Sequence, residues 1–454
     1  MRSPRTPNQS LRLLLGQADW SGAALARAIN AIGVERGLSL RYDRTAVGHW
    51  LAGTRPRPPV PELVAEALSR QLAKPVSALD TGLAVADPAD AACGGAGDAA
   101  PPEPAAVDRL EQLAALLSLR GLAPGDVYSL AVLAVPQWSQ QVTPPRPAPG
   151  VRPAAVGMAQ VGAARTLLAL LSQHDAAFGA GQVLVPLRQY LATAVVPWLR
   201  ADAPPAVRRE LLTVAGQLAY LCGFAHFDCN RNAEAQRYYL TGVGIAREAG
   251  DPIGYALGLR GLSVQAHALG HYAQADRLAE QAVETGLRHA PAQLQAFLLG
   301  QSAVTRASTG ERRAATGRLL AAERCLERST SGPTPVGAYH QGSLALQHAF
   351  VAKGLGAREE AIEALRSSLR HRPADECRSR AVSLAELAET QLSVGHLDQA
   401  CHTWSAFLEL YPRLHSARAD DRLRAMSARL RPYRGNRAAA ALCERAGRLG
   451  RGTR

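Results

Sequence analysis

Leu384-Ala385-Glu386-Leu387-Ala388-Glu389-Thr390-Gln391-Leu392-Ser393-Val394-Gly395-His396-Leu397-Asp398-Gln399-Ala400-Cys401-His402-Thr403-Trp404-Ser405-Ala406-Phe407-Leu408-Glu409-Leu410-Tyr411-Pro412 is the stretch that decides the fold. It reads as two helices joined at Gly395 and closed by Pro412, with Ala400 five residues past the glycine and Trp404 four further on. The alanine lets the second helix pack closely on the first, and the larger residue fills the gap to the next unit. The same mark recurs as Asn230…Ala235…Tyr239, Gly270…Ala275…Ala279, Gly310…Ala315…Leu319 and Gly356…Ala361…Leu365. Alanines 235, 275, 315, 361 and 400 are therefore separated by 40, 40, 46 and 39 residues, the period of a helical repeat array.

Leu384, Leu387-Ala388, Gly395, Leu397, Ala400, Trp404, Phe407 and Pro412 resemble the tetratricopeptide repeat, and Pro373 closes the preceding unit in the same way. The units here are longer than that family's usual ones. The resemblance implies an α-solenoid over residues 156–447, with an irregular first unit (158–173 and 182–200) and a closing one (416–447). It also implies an extended concave surface, lined by the first helix of each unit, that takes peptides, protein segments or the protein's own domains. On those helices Arg260, Gln301 and Arg306 are the candidate partner contacts, beside Gln265, and an ordinary solvated residue is the plainer reading of each. His340 and His348 fall about two turns apart on one helix.

Towards the N-terminus, Asp43 to Pro58 reads as one short helix with both ends marked. Asp43 is a good N-cap, Gly53 occupies the left-handed position after the last turn, and Pro56 and Pro58 prevent resumption. Ala46, Val47, Trp50 and Leu51 share an inward side, with Val47 and Trp50 as its core. Arg44, Thr45, Gly48, His49 and Ala52 share the other, where small residues permit close approach and Arg, Thr and His can hydrogen-bond to bases or phosphates. Around it lie a helix from Ser10 to Gly16, a second capped by Ser21 with Leu25, Ala28, Ile29 and Ile32 in a stripe, a third opening at Pro61, and a last turn at Ser77 to Leu83. Five short helical pieces over residues 9–83 are the size of a compact DNA-binding domain.

Leu25-Ala26 together with Thr45-Ala46-Val47-Gly48-His49-Trp50-Leu51-Ala52-Gly53-Thr54-Arg55-Pro56-Arg57-Pro58 resembles the helix-turn-helix of the phage-repressor-like (XRE) regulators. That resemblance implies that Arg44, Thr45 and His49 face the major groove, that Trp50 plugs the core, and that Arg55 and Arg57 meet phosphates. The connection Gly33 to Tyr42 is longer than the three- or four-residue turn usual in the family. The other reading of this domain is a small helical module for protein contacts.

The net charge of +13 is unevenly spread. Residues 1–80 hold 11 Lys+Arg against 6 Asp+Glu, residues 413–454 hold 12 against 3, and the stretch between is close to neutral. Two basic ends on a neutral body suit a polyanion such as double-stranded DNA, although Arg-rich ends also serve solubility. Residues 84–106 are Pro-, Ala- and Gly-rich and read as a flexible linker. Residues 107–135 read as a helical hairpin, with Val107, Leu110, Leu113, Leu116 and Leu117 on one arm and Val127, Leu130, Ala131 and Leu133 on the other; residues 136–155 read as a stiffer Pro-rich linker.

Seven cysteines without a CxxC pair suggest buried thiols in a reducing compartment, and the absence of a long apolar run predicts no membrane span. The expected location is the cytoplasm. No GxxxxGK[ST], GxGxxG after a strand, HExxH or GxSxG occurs, so neither enzyme activity nor a cofactor is expected. His267 and His271 have a metal-capable i, i+4 spacing, but the pair straddles an expected turn with no third ligand, and no metal site is expected.

The whole reads as an all-α chain, a small helix-turn-helix domain tethered to a tetratricopeptide α-solenoid. The assembly resembles actinobacterial regulators that join these parts and control sporulation and antibiotic production. That resemblance implies a sequence-specific DNA-binding regulator of transcription whose solenoid takes a protein, a peptide or a second subunit as a homodimer. An adaptor working through protein contacts alone is the alternative.

Overall fold

A residue in the left-handed region stands at each of the five turns that the repeat predicts. Asn230 has φ +58°, Gly270 +85°, Gly310 +85°, Gly356 +79° and Gly395 +90°. Each turn closes in the same way, with a backbone amide reaching back five residues to a helix carbonyl: Arg231 to His226 at 2.8 Å, His271 to Ala266 at 2.9 Å, Glu311 to Arg306 at 2.9 Å, Ala357 to Ala352 at 2.8 Å and His396 to Gln391 at 2.9 Å. Such a bond satisfies a carbonyl that the helix end would otherwise leave orphaned.

The structure, a computed structural model, describes residues 6–35, 38–84, 105–115, 127–138, 156–329 and 339–452. Among these the chain is all-helical, with no strand. The N-terminal unit holds α1 (Gln9–Gln17), α2 (Gly22–Glu35), α3 (Arg44–Leu51) and α4 (Val60–Leu72). After α5 (Ala106–Ala115) come α6 (Met158–Phe178) and α7 (184–200), the latter broken by a wide turn at Leu191–Val195. Six antiparallel pairs then stack: α8 (Pro205–Asp228) with α9 (Asn232–Ala249), α10 (Pro252–Ala268) with α11 (Tyr272–Gly286), and α12 (Ala292–Ser308) with α13 (Arg312–Glu327). They continue as α14 (Gln341–Gly354) with α15 (Arg358–His371), α16 (Cys377–Ser393) with α17 (Leu397–Leu410), and α18 (Ala417–Leu430) with α19 (Arg437–Gly452). The five marked alanines are fully buried, as are Tyr239, Leu365 and Trp404 at the plug positions. At those alanines a larger side chain would force the paired helices apart.

The stack does not stay open. Its far end returns to its beginning: the His415 amide donates to the Phe178 carbonyl at 2.7 Å, and the Gly181 amide donates to the His415 carbonyl at 2.8 Å. A Cβ on Gly181 would come within 2.9 Å of that carbonyl, so the contact depends on the missing side chain. Ser416 Oγ donates to Asp228 at 2.9 Å, Asn230 to Asp421 at 2.6 Å, and the Arg418 guanidinium lies 4.4 Å over the Phe227 ring. Helix α6 spans the inside of this curve, held to α16 by Arg378 and Asp175 at 3.0 Å. The first helices of the pairs thus face α6 across the inside of the curve.

Of the predicted hairpin, the first arm is a helix as far as Ala115, while Leu116, Leu117 and the turn at 121–125 lie outside the described residues. α5 forms and packs on α9, its first amide accepted by Glu248 at 2.8 Å. The second arm is not a helix. Residues 127–138 run as a strap with a single tight turn at Leu130–Val132. The Gln236 amide donates to the Ser129 carbonyl at 2.8 Å, and Tyr255 donates to the Pro136 carbonyl at 2.7 Å. These side chains take up carbonyls that a helix would have used, and Pro136 can offer no amide to one. Trp138 packs on Tyr255 at 5.1 Å, so the first residues of the expected linker 136–155 are docked. Most of the two linkers, including Cys93, lies outside the described residues. The last basic stretch is the closing pair α18/α19 itself, and some of its charge is consumed internally: Arg422 pairs with Glu386 and with Glu389 at 3.1 Å, and Arg429 with Glu389 at 3.1 Å. No helix among the described residues is long and apolar enough to cross a membrane.

Candidate functional site

Helix α3 is built as its residues dictate. The Asp43 carboxylate accepts from the Ala46 amide at 2.9 Å and fixes the start. Gly53, at φ +95°, lets the chain turn away after Ala52. Val47 and Trp50 are buried, with Trp50 edge-on to Tyr42 at 5.3 Å. The long connection before α3 is fixed by Asn30, whose side chain gives one hydrogen bond to the Tyr42 carbonyl at 2.8 Å and takes one from the Tyr42 amide at 2.9 Å. Leu40 folds back so closely on α2 that a Cβ on Gly33 would meet it at 2.6 Å. The extra residues are therefore absorbed beside α2, while α3 rests against its start, where a Cβ on Gly22 would be 3.3 Å from Val47.

Arg44, Thr45, Gly48, His49 and Ala52 all face solvent, with Arg41, Arg55 and Arg57 exposed around them. Among the described residues no carboxylate lies within ion-pair distance of these four arginines. Arg55 and Thr54 border a groove of about 650 Å³ that also runs past Gln9 and Ser10 at the start of α1. Thr54 Oγ1 is buried there without a hydrogen-bond partner among the described residues. A helix start capped by Asn8, a hydroxyl and a guanidinium thus border one groove.

The opposite side of this unit is occupied. Glu66 on α4 is buried, and its Oε1 meets His271 Nε2 of the stack at 2.9 Å and Arg70 Nε at 2.8 Å. Arg70 forks onto both Glu35 oxygens at 2.9 Å, which carries the network across to α2. His271 is also stacked on Tyr128 of the strap at 5.4 Å. One buried imidazole thus joins the N-terminal unit, the strap and the turn between α10 and α11. Its i−4 neighbour His267 instead meets Ser308 at 2.8 Å, so the two histidines share no ligand position.

Between α6 on one side and the first helices of successive pairs on the other lies a half-open cavity of about 340 Å³. Arg260 and Gln301, two of the three sequence candidates, both line it. Arg306 does not. It sits in a cluster with Asp276 at 3.3 Å, Glu280 at 3.3 Å and Glu311 at 2.8 Å, which makes it a structural counter-charge. His340 caps α14 by accepting from the Gly342 amide at 3.1 Å, and His348 pairs with Glu360 at 2.8 Å. Sequence reasoning missed Tyr339, Arg372 and Glu376, which reach the cavity from connections between pairs, and Asp175 from α6. Burial against Phe297 holds the Arg260 guanidinium below its ordinary pKa, and burial raises the Asp175 carboxyl to about 6 against the pull of Arg378.

Comparison with known proteins adds one finding. The family described as the SP15 N-terminal domain matches residues 11–84, the span of α1 to α4 and the turn after them. No curated protein matches the chain.

Proposed function

We propose that the chain is a cytoplasmic regulator of transcription that binds double-stranded DNA through α3. In this reading residues 9–83 act as an XRE-like helix-turn-helix domain and the stack acts as a tetratricopeptide-type solenoid that controls it. Arg44, Thr45 and His49 read base edges, while Arg55 and Arg57 meet phosphates. The carrying observation is the outward face of α3: exposed, flanked by arginines without carboxylate partners among the described residues, and narrow at Gly48 and Ala52. A face that keeps several cations unpaired spends little on desolvating internal salt bridges when a phosphate backbone arrives. The unit is attached to the stack through α4, which leaves α3 uncovered by the contacts at His271. Control of sporulation or antibiotic production follows only from the family resemblance. A protein, a peptide or a second copy of the chain would act by preferring one arrangement of the stack and shifting DNA affinity by its differential binding.

The test is a titration of the full chain against random and genomic duplexes at several salt concentrations. The observed affinity should fall linearly in log salt, with a slope of about −0.9 per phosphate contact. Arg44→Ala or His49→Ala should erode sequence preference by about 1–3 kcal/mol, whereas Arg55→Ala should weaken all duplexes alike and lower the slope by about 1. Absence of binding at low salt sinks the proposal. An adaptor is the second reading, and the seam at Glu66 and His271 favours it, because there the N-terminal unit already makes a buried protein contact. Capture of a protein by a chain that binds no duplex would select it.

A further inference from the structure

We propose that the cavity inside the stack is a binding site for a small organic anion: one carboxylate on an aromatic or branched apolar body that also carries one hydrogen-bond donor. This goes beyond the DNA reading and does not depend on it. At about 340 Å³ the space is at the small end of the range for ligand pockets, roughly 300–1,000 Å³. Helix α6 lies across the first helices there, and the space between them is the size of a small molecule.

The charges specify the ligand. Three guanidinium groups and two carboxylates face the cavity. Arg372 is paired with Glu376 at 2.6 Å and Arg378 with Asp175 at 3.0 Å. Arg260 has no carboxylate among the described residues. It donates Nε to the Phe297 carbonyl at 3.1 Å, and its guanidinium carbon lies 3.3 Å from the centre of the Phe297 ring. One positive charge is therefore left uncompensated, on a planar fork that fits a carboxylate, and it is held flat by an aromatic face.

Unsatisfied atoms give the second indication. Asp175 Oδ1 and Arg372 Nε belong to side chains only 4% and 7% exposed, and neither atom has a hydrogen-bond partner among the described residues; Ser172 Oγ, which also lines the cavity, has none there either. Buried polar atoms are rarely left orphaned, and three around one cavity mark a place where something polar belongs. Asp175 Oδ1 calls for a donor on the ligand, while Arg372 Nε and the Ser172 hydroxyl can serve its acceptors. Phe224, Phe297, Tyr339 and Phe350 supply the apolar wall for its body.

The experiment is isothermal titration calorimetry on the full chain with 4-hydroxyphenylacetate, indole-3-acetate and N-acetylphenylalanine, each beside its neutral amide. The expected result is saturable binding of at least one acid at millimolar concentration or below, with its amide weaker by about tenfold or more. Arg260→Gln should lower affinity for the acid by a similar factor, and Arg306→Gln, outside the cavity, should leave it unchanged. The acid-against-amide comparison uses the unaltered chain, so it stands even if the Arg260 variant fails to fold. Absence of saturable binding by all three acids overturns the proposal. So does equal binding of acids and amides, or an Arg260→Gln chain that folds and binds like the parent. Loss of DNA binding in the parallel titration leaves this result untouched.

Discussion

Acid should weaken this fold through one histidine. His226, near the end of α8, is 1% exposed, and neither ring nitrogen has a hydrogen-bond partner among the described residues. It is stacked on Tyr238 at 5.1 Å, and burial, with Arg188 and Arg231 nearby, lowers its pKa to about 3. In the unfolded chain the same imidazole takes up a proton near its ordinary pKa of about 6.5. Between these two values the unfolded state binds the extra proton, so stability is full above the unfolded pKa and is lost as pH falls. At about 1.36 kcal/mol per unit, the loss is roughly 2 kcal/mol near pH 5 and approaches about 5 kcal/mol below both pKa values. His226→Leu, of similar volume and unable to titrate, removes this dependence. The assay is urea unfolding of both chains from about pH 8 to about pH 5. The stability difference between them should shift by roughly 2 kcal/mol in favour of the leucine variant as the pH falls. Parallel pH profiles would refute the reasoning, because they would mean that His226 is protonated, or hydrated, in the folded chain.

Other expectations follow from local contacts. His271→Ala takes one partner from the buried Glu66 oxygen and should weaken docking of the N-terminal unit by about 1–3 kcal/mol. Hydrogen exchange should then accelerate in α4 and the strap but not in α14 to α17, and unchanged exchange in α4 would count against the seam. Gly310→Ala introduces a Cβ with nothing within 4 Å, so its cost is the left-handed backbone alone, about 1–2 kcal/mol by thermal or urea unfolding. Trp404→Ala, at a fully buried plug, should cost about 3–5 kcal/mol in the same measurement.

The turns and plugs of the stack were legible because each has a local chemical cause. A glycine or asparagine is needed where φ is positive, and an alanine where two helices cross closely. The face of α3 was legible for the same reason, since Asp43, Gly53 and Trp50 fix its start, its end and its rotation. The strap misled because Val127, Leu130 and Leu133 satisfy a helical spacing, while the competing partners, Gln236 and Tyr255, lie more than a hundred residues away. Closure of the stack left no periodic mark at all. Asp228 with Ser416 and Asp175 with Arg378 are pairs about two hundred residues apart, and each member alone reads as an ordinary polar residue. The cavity was half legible: Arg260 and Gln301 follow from position on first helices, but Tyr339 and Arg372 sit in connections outside the repeat.

The return of residues 415–421 onto 178–181 and 228–230 bears on how the molecule comes apart. An array with two loose ends can fray, shedding a pair at a time while its middle persists. A chain whose last pair is latched onto its first has no loose end to shed, and opening the latch must break Ser416–Asp228, Asn230–Asp421 and the paired amides at His415 together. Terminal pairs should then exchange their amide hydrogens as slowly as central ones, and the ring should melt in one concerted step despite being built from repeats.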